Sequence, residues 1–161
     1  MKKQGFTLIE LMVVIVIMGI LAAVAVPKLF GMIAKSKASE VGPAAGTYIK
    51  LQQAYFAEKN YYGGWTVIGY TAPGGSTGTT SSTTNFTYSA DNIAATGETS
   101  EAATGVWTAS NIAKLNECDK GKNWQIDVGA SGEGVMDTYT AKVNNAATCL
   151  QLTPNFEKIG K

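Results

Sequence analysis

One acidic side chain, Glu10, interrupts an otherwise apolar run of residues from Phe6 to Val26. At about 1.5 Å per residue, a helix over this run is about 31 Å long, close to the thickness of a bilayer's hydrocarbon core. The run therefore predicts a membrane-spanning helix with a charge near one end. A carboxylate in hydrocarbon costs about 2.5–3.5 kcal/mol on insertion scales, so we expect Glu10 to have a partner and a function.

The residues around Glu10 form a specific motif. Lys2 and Lys3 lie in a short basic leader that ends at Gly5, and the sequence GFTLIELMVV runs from Gly5 to Val14. A small residue, then an aromatic one, then a glutamate four positions further on resembles the class III signal sequence of type IV prepilins. The close resemblance covers about the first 35 residues.

The resemblance implies a role for each of these positions. A prepilin peptidase would cut between Gly5 and Phe6 on the cytoplasmic face and methylate the new amino group of Phe6. The carboxylate of Glu10 would neutralise that amine on a neighbouring subunit, because a lone charge in hydrocarbon gains much from an opposite charge. The implied function is that of a structural subunit of a type IV pilus, which polymerises through its N-terminal helix into an extracellular filament for adhesion, motility or related surface functions.

The same resemblance implies a fold, partners and a location. The fold is an α+β pilin fold, with a long N-terminal α-helix packed on a small antiparallel β-sheet. The subunit would enter the bacterial inner membrane, pass through an inner-membrane assembly platform and end in a helical homo-oligomer at the cell surface. Two alternatives stay open within the family: a pseudopilin of a type II secretion system and a minor pilin.

Three other interpretations compete for the N-terminal run. An ordinary secretory signal would use Lys2 and Lys3 as its basic region and Ala23-Val24-Ala25 as its cleavage pattern, but it leaves Glu10 unexplained. A plain membrane anchor, with Glu10 reaching toward the headgroups, leaves the Gly5-Phe6 junction unexplained. A buried helix of a soluble protein is disfavoured by the length and purity of the run.

The charged residues disfavour several classes of function. All 13 basic side chains are lysines, and histidine is absent. Arginine is the side chain best suited to bidentate phosphate or guanine recognition, and histidine is the usual general base and metal ligand. We therefore expect no enzyme, no cofactor or metal, and no nucleic-acid binding. The acidic residues of the C-terminal half lack the spacing of a calcium-binding loop, so we interpret them as solvated strand ends and turns.

Composition divides the chain into five segments. Residues 1–5 are the leader, and residues 6–27 form the membrane-spanning or filament-core half of the long helix. Residues 28–60 form its amphipathic half, residues 61–104 an αβ-loop, and residues 105–161 an antiparallel sheet with a disulfide region.

The amphipathic half of the helix shows apolar residues at helical spacing and two interruptions. Its predicted inward positions are Leu29, Ile33, Tyr48, Leu51 and Tyr55. Proline removes a backbone hydrogen bond and clashes with the preceding turn. We therefore expect Pro27 and the pair Gly42 and Pro43 to bend the helix or open it locally.

The αβ-loop segment is rich in glycine, serine, threonine and alanine. Its few apolar residues predict a surface loop outside the core. Asn85 begins an Asn-Phe-Thr tripeptide of the form that accepts N-linked glycans, and the hydroxyl side chains allow O-linked ones.

The C-terminal segment predicts an antiparallel meander. Partial alternation indicates strands at Val106–Thr108, Trp124–Val128, Met136–Val143 and Cys149–Leu152. The candidates for the core are Trp107, Trp124, Ile126, Val128, Val143, Leu150 and Leu152.

Cys118 and Cys149 are the two cysteines of the chain. An even count in an exported segment implies a disulfide, which would stabilise the fold by about 3.5–4 kcal/mol in the chain-entropy model. Their positions resemble the C-terminal disulfide loop of pilins. Because major pseudopilins use a calcium site where pilins have a disulfide, the pair favours a pilus subunit.

Overall fold

The computed structural model describes residues 5–75, 78–130, 132–134 and 136–161. Residues 1–4 of the predicted leader and residues 76 and 77 of the predicted αβ-loop lie outside the described residues. The chain divides into two compact units, one that ends at Ile33 and a second one, Ala34–Lys161.

The first helix, α1 (Leu8–Ala38), is rich in leucine, isoleucine, valine and alanine and contains Pro27 in its interior. It remains helical on both sides of that proline, so the local opening that the sequence allowed at Pro27 is absent. In this helix the apolar side chains from Leu8 to Ile33 are exposed. The predicted inward positions Leu29 and Ile33 are among them, so that part of the prediction is wrong for the single chain.

The predicted continuous helix over residues 28–60 is two helices, because α1 ends at Ala38 and α2 (Val41–Lys59) begins after a two-residue break. The break follows from Pro43, which has no N–H to donate to the carbonyl of Ser39 and whose ring would crowd it. The backbone N–H of Ser39 donates to the carbonyl of Ser36 at 3.4 Å. Gly42 and Pro43 themselves lie in the first turn of α2, where a missing N–H leaves no helical bond unmade.

The sheets are antiparallel, which confirms the predicted α+β fold class. A two-stranded sheet joins β1 (Tyr62–Gly63) to β4 (Glu98–Thr99). A five-stranded sheet has the order β2-β3-β5-β6-β7. Its strands are β2 (Thr80–Ser82), β3 (Phe86–Ser89), β5 (Ala103–Asn111), β6 (Gly121–Val128) and β7 (Tyr139–Val143).

The register of the large sheet places its apolar side chains on one face. Trp124 pairs with Val143 and Ile126 pairs with Ala141, and these four side chains are buried. Successive side chains on a strand point to opposite faces, so the alternation that predicted the meander also selects its core face. Of the seven predicted core residues, Leu150 is half-buried and the others are buried.

Two sequence predictions about the second unit are wrong. The segment 61–104 is not a loop outside the core, since it contains four strands and the buried side chains of Trp65, Tyr70, Phe86 and Tyr88. A few large aromatic residues bury as much surface as many small ones, which the average composition hides. The segment Cys149–Leu152 is not a strand, because it ends the short helix α3 (Ala146–Cys149) and continues as a 3-10 turn.

The buried face of α2 differs from the predicted stripe. Tyr48 is buried as predicted, whereas Leu51 and Tyr55 are half-buried at the margin. Seven residues of α2 are buried, namely Val41, Ala44, Ala45, Tyr48, Ile49, Gln52 and Phe56. The indole Nε1 of Trp107 on β5 donates to the hydroxyl of Tyr70 at 2.8 Å, and that hydroxyl donates to the carbonyl of Ala44 at 3.2 Å. Hydrogen bonds and ring packing therefore hold α2 against the sheet.

Candidate functional site

The N-terminus of α1 is closed by a reciprocal pair of side chains, Thr7 and Glu10. The backbone N–H of Thr7 donates to Oε2 of Glu10 at 2.9 Å, and the hydroxyl of Thr7 donates to the same oxygen at 2.6 Å. The backbone N–H of Glu10 donates to Oγ1 of Thr7 at 3.3 Å. This is the capping box in which a threonine before the helix and a glutamate three residues later satisfy each other's exposed backbone groups.

Glu10 lies in the middle of one face of α1. Five side chains at helical spacing line a shallow groove of about 360 Å³, namely Phe6, Ile9, Glu10, Val13 and Val14. All five are exposed, and Phe6 retains 80% of its accessible surface. An apolar groove with one carboxylate at its centre can receive the apolar face of another helix and a cation carried by it.

The helix that carries this face is suited to a membrane. In the described part of the chain, one helical segment, Leu8–Lys59, is long and apolar enough to cross a bilayer by length and composition, and its apolar window is not buried by the rest of the chain. The run is therefore not a helix buried within its own chain.

The two residues of the predicted cleavage junction are accessible. Gly5 and Phe6 both lie before the first residue of α1, outside regular secondary structure, and both are exposed. An exposed backbone outside regular secondary structure is the form that a peptidase can bind. The remainder of the leader lies outside the described residues.

The cysteines and Asn85 lie in the second unit. Cys118 and Cys149 form a disulfide between residues separated by 31 positions. Asn85 is half-buried in the turn between β2 and β3, where its carbonyl accepts the N–H of Ile112 at 3.0 Å. The turn position leaves the side chain partly accessible.

The acidic residues of the second unit do not come together as a metal site, since no group of three or more potential metal ligands exists among the described residues. Asp127 instead accepts bonds from the N–H of Gly105 at 2.8 Å, from Gln125 at 2.6 Å and from Lys142 at 2.5 Å. Burial by itself would raise the pKa of Asp127, but these three donors outweigh it and hold the pKa below its usual range. The carboxylate is therefore a structural anion in the sheet.

Three polar residues with defined partners were missed by reasoning from the sequence. Thr7 could have been found, because threonine followed three residues later by glutamate is the sequence signature of a capping box. Gln52 is fully buried and bonds the backbone of Gly63 through both ends of its amide. Oε1 of Glu40 accepts the hydroxyl of Thr83 at 2.7 Å and that of Tyr88 at 2.8 Å. The last two depend on tertiary contacts and leave no local signal.

The comparisons with known proteins include a family match to the same N-terminal region. Residues 1–26 match the family described as the prokaryotic N-terminal methylation motif. The chain is 44% identical over 61 residues to the type IV major pilin protein PilA of Myxococcus xanthus, a match that covers 38% of this chain and 28% of that protein.

Two further relatives match over similar lengths. Fimbrial protein EcpC of Eikenella corrodens is 43% identical over 60 residues, which are 37% of this chain and 39% of that protein. Type IV major fimbrial protein FimA of Dichelobacter nodosus is 52% identical over 44 residues, which are 27% of this chain and 28% of that protein.

These matches span only a minor part of each relative and leave most of the second unit of this chain uncovered. The match to the methylation motif includes the capping box, the face that carries Glu10 and the predicted cleavage junction. By this methylation motif and these relatives, part of the chain, including its N-terminal segment, is similar to type IV pilins, the family that its sequence resembles.

Proposed function

We propose that this chain is the structural subunit of a type IV pilus, which polymerises through α1 into a helical filament of identical copies. The observation that carries the proposal is the face of α1 around Glu10, an exposed apolar groove with a single carboxylate at its centre. The groove has no counterpart to bind in its own chain among the described residues, and a second copy supplies both an apolar helix and an N-terminal cation.

The proposed pairing requires a processing step. A prepilin peptidase cuts between Gly5 and Phe6 and methylates the amine of Phe6, which creates a cation next to the helix terminus. Oε2 of Glu10 is occupied by Thr7, whereas Oε1 accepts no hydrogen bond within the described residues. The amine of the neighbouring copy binds at this second oxygen.

The energetics favour the filament over the isolated membrane helix. Close packing between helices replaces lipid contacts of similar apolar character, so leaving the bilayer costs little in hydrophobic energy. Glu10 exchanges an isolated charge for an ion pair, and opposite charges at 4 Å attract by about 4 kcal/mol at an effective dielectric of 20. The charge pair thereby favours entry of a subunit in the correct position.

The proposal places the chain at two locations in succession. Before assembly α1 spans the inner membrane, with its N-terminus on the cytoplasmic side, and an inner-membrane assembly platform moves the subunit into the filament. After assembly the second unit forms the filament surface outside the cell. The chain acts as a structural protein and not as an enzyme.

Replacement of Glu10 tests the proposal. We expect Glu10→Ala to insert and to be processed normally but to reduce the pilin in the sheared surface fraction at least tenfold, because the attraction that favours entry is removed. Glu58→Ala is the matched control, since Glu58 is an exposed glutamate on α2. A normal yield of sheared pilin from Glu10→Ala would contradict the proposed role of this carboxylate.

Electron microscopy separates the pilus subunit from the alternative of a secretion pseudopilin. Long surface filaments that contain this chain support the proposal. Short assemblies confined to the cell envelope would assign the chain to a secretion machine.

A further inference from the structure

Lys28 is the second charged residue that follows the predicted leader. Between Gly5 and Ile33 the charged side chains are Glu10 and Lys28, near opposite ends of α1's apolar run. Eighteen residues of helix separate them, which corresponds to about 27 Å along the axis. This distance is close to the thickness of a bilayer's hydrocarbon core, so one charge can lie at each interface.

The residues that follow Lys28 are apolar and exposed. Leu29, Phe30, Met32 and Ile33 retain between 43% and 63% of their accessible surface. They lie beyond the 21 residues from Phe6 to Val26 that suffice to cross the hydrocarbon. These side chains therefore belong at the boundary between hydrocarbon and headgroups, where apolar side chains beside a lysine are stable.

The orientation of the helix does not account for Lys28. Lysines beside a membrane span favour the cytoplasmic side, whereas Lys28 lies on the exported side under the proposed function. Lys35 and Lys37 follow, and no acidic residue occurs between Glu10 and Glu40. These lysines lie on the side of the membrane that the orientation rule disfavours for lysine. Another interaction must therefore stabilise them there.

We propose that Lys28 binds the phosphate of anionic phospholipids at the outer leaflet of the inner membrane and thereby sets the depth of α1 before assembly. The inference rests on the proposed function for the orientation of the helix. The ammonium of Lys28 contacts the headgroups, and the apolar residues at 29, 30, 32 and 33 follow it within about 7.5 Å along the axis, at the same boundary. With Lys28 held there, Glu10 lies at the opposite interface and not at the bilayer centre, where its charge would cost most.

Charge complementarity selects lipid over a second copy as the occupant. In the first unit of a parallel neighbour in register, the one acidic side chain of the described residues is Glu10, about 27 Å along the axis from Lys28. Anionic headgroups surround Lys28 at its own level in the membrane. Each lysine close to an anionic surface contributes about 1 kcal/mol of attraction, which corresponds to about a fivefold preference.

The test measures lipid selectivity of the full chain reconstituted in phosphatidylcholine vesicles. Spin-labelled phosphatidylglycerol and spin-labelled phosphatidylcholine report, by electron paramagnetic resonance, the relative affinity of each lipid for the protein surface. We expect the wild type to prefer phosphatidylglycerol and Lys28→Gln to lose about fivefold of that preference. Lys28→Arg should retain it, and 1 M salt should weaken it in the wild type.

Lys50→Gln is the matched control, because Lys50 is an exposed lysine on α2 in the second unit. Equal selectivity of Lys28→Gln and the wild type, or an equal loss with Lys50→Gln, would overturn the inference. Sheared pilin from cells is measured separately. If filaments are absent but the preference for phosphatidylglycerol depends on Lys28, the proposed function alone is contradicted. If filaments are normal but the preference does not depend on Lys28, this inference alone is contradicted.

Discussion

At the scale of single residues, the hydrogen bonds from Thr7 lower the free-energy cost of placing the charged carboxylate of Glu10 in a membrane. A charged carboxylate that accepts two hydrogen bonds from its own helix terminus is already partly compensated. It also lies near the N-terminus of α1, where the helix dipole favours negative charge. Under the proposed function, the precursor therefore tolerates Glu10 without a partner, and the cation of the neighbouring copy adds to an existing arrangement.

Substitution of Thr7 tests the capping box. Thr7→Val removes the hydroxyl that accepts the N–H of Glu10, and loss of such a cap costs about 1 kcal/mol. We expect amide hydrogen exchange at Glu10 to accelerate about fivefold in the full chain in lipid nanodiscs. Thr7→Ser keeps a hydroxyl and should exchange at the wild-type rate, and an unchanged rate in Thr7→Val would show that the cap does not protect this amide.

At the scale of elements, the start of α2 is fixed by a contact that spans the second unit. Glu40 lies in the break between α1 and α2, and its carboxylate binds Thr83 and Tyr88 of the β2–β3 hairpin. Burial raises the pKa of Tyr88, and the carboxylate of Glu40 raises it further, so the phenol stays protonated and donates. The contact orients the hairpin on the helix at the point where Pro43 has interrupted it.

Removal of the Glu40 carboxylate should destabilise the second unit. Glu40→Ala leaves the buried hydroxyl of Tyr88 without its acceptor, and we expect a loss of about 2 kcal/mol in the free energy of unfolding. The measurement is urea unfolding of the full chain in detergent, followed by tryptophan fluorescence, because Trp65, Trp107 and Trp124 are all buried in this unit. Glu58→Ala, on the exposed side of α2, should change the free energy by less than about 0.5 kcal/mol. Equal stabilities of the two variants would contradict the role of Glu40.

The elements also explain how far the sequence predicts this structure. The periodicity of apolar residues and the N-terminal motif are local signals. They predict the long helix, the strands around Trp107 and Trp124 and the candidate site at Glu10. The sequence predicts a bend or local opening at Gly42 and Pro43, yet a proline disturbs the carbonyl four residues earlier, and the break lies at Ser39 and Glu40. The strands at Thr80–Ser82 and Phe86–Ser89 are short, so only their pairing with each other and the pairing of Phe86–Ser89 with β5 make them stable.

At the scale of the whole molecule, the two units have different sources of stability. The first unit exposes its apolar side chains, so under the proposed function its stability depends on lipid or on other copies. The second unit buries a core of its own and carries the disulfide between Cys118 and Cys149. A filament subunit needs both properties, because its surface domain must stay folded while its helix changes from lipid to protein surroundings.

The disulfide should supply a large part of the stability of the second unit. Replacement of both cysteines by alanine frees a loop of 31 residues in the unfolded chain, for which the chain-entropy model gives a loss of about 3.5–4 kcal/mol. We expect a corresponding fall in the urea midpoint of the full chain, with the slope of the transition rising as the unfolded state expands. An unchanged midpoint would show that the core alone stabilises this unit.

The mature N-terminus of the chain in purified surface filaments tests the central claim most directly. Mass spectrometry of the N-terminal peptide should find a chain that begins at Phe6 and carries a methyl group on its amine, since that cation is the proposed partner of Glu10. A mature chain that begins at Val26, or one that retains Met1, would lack the cation at this position and contradict the account.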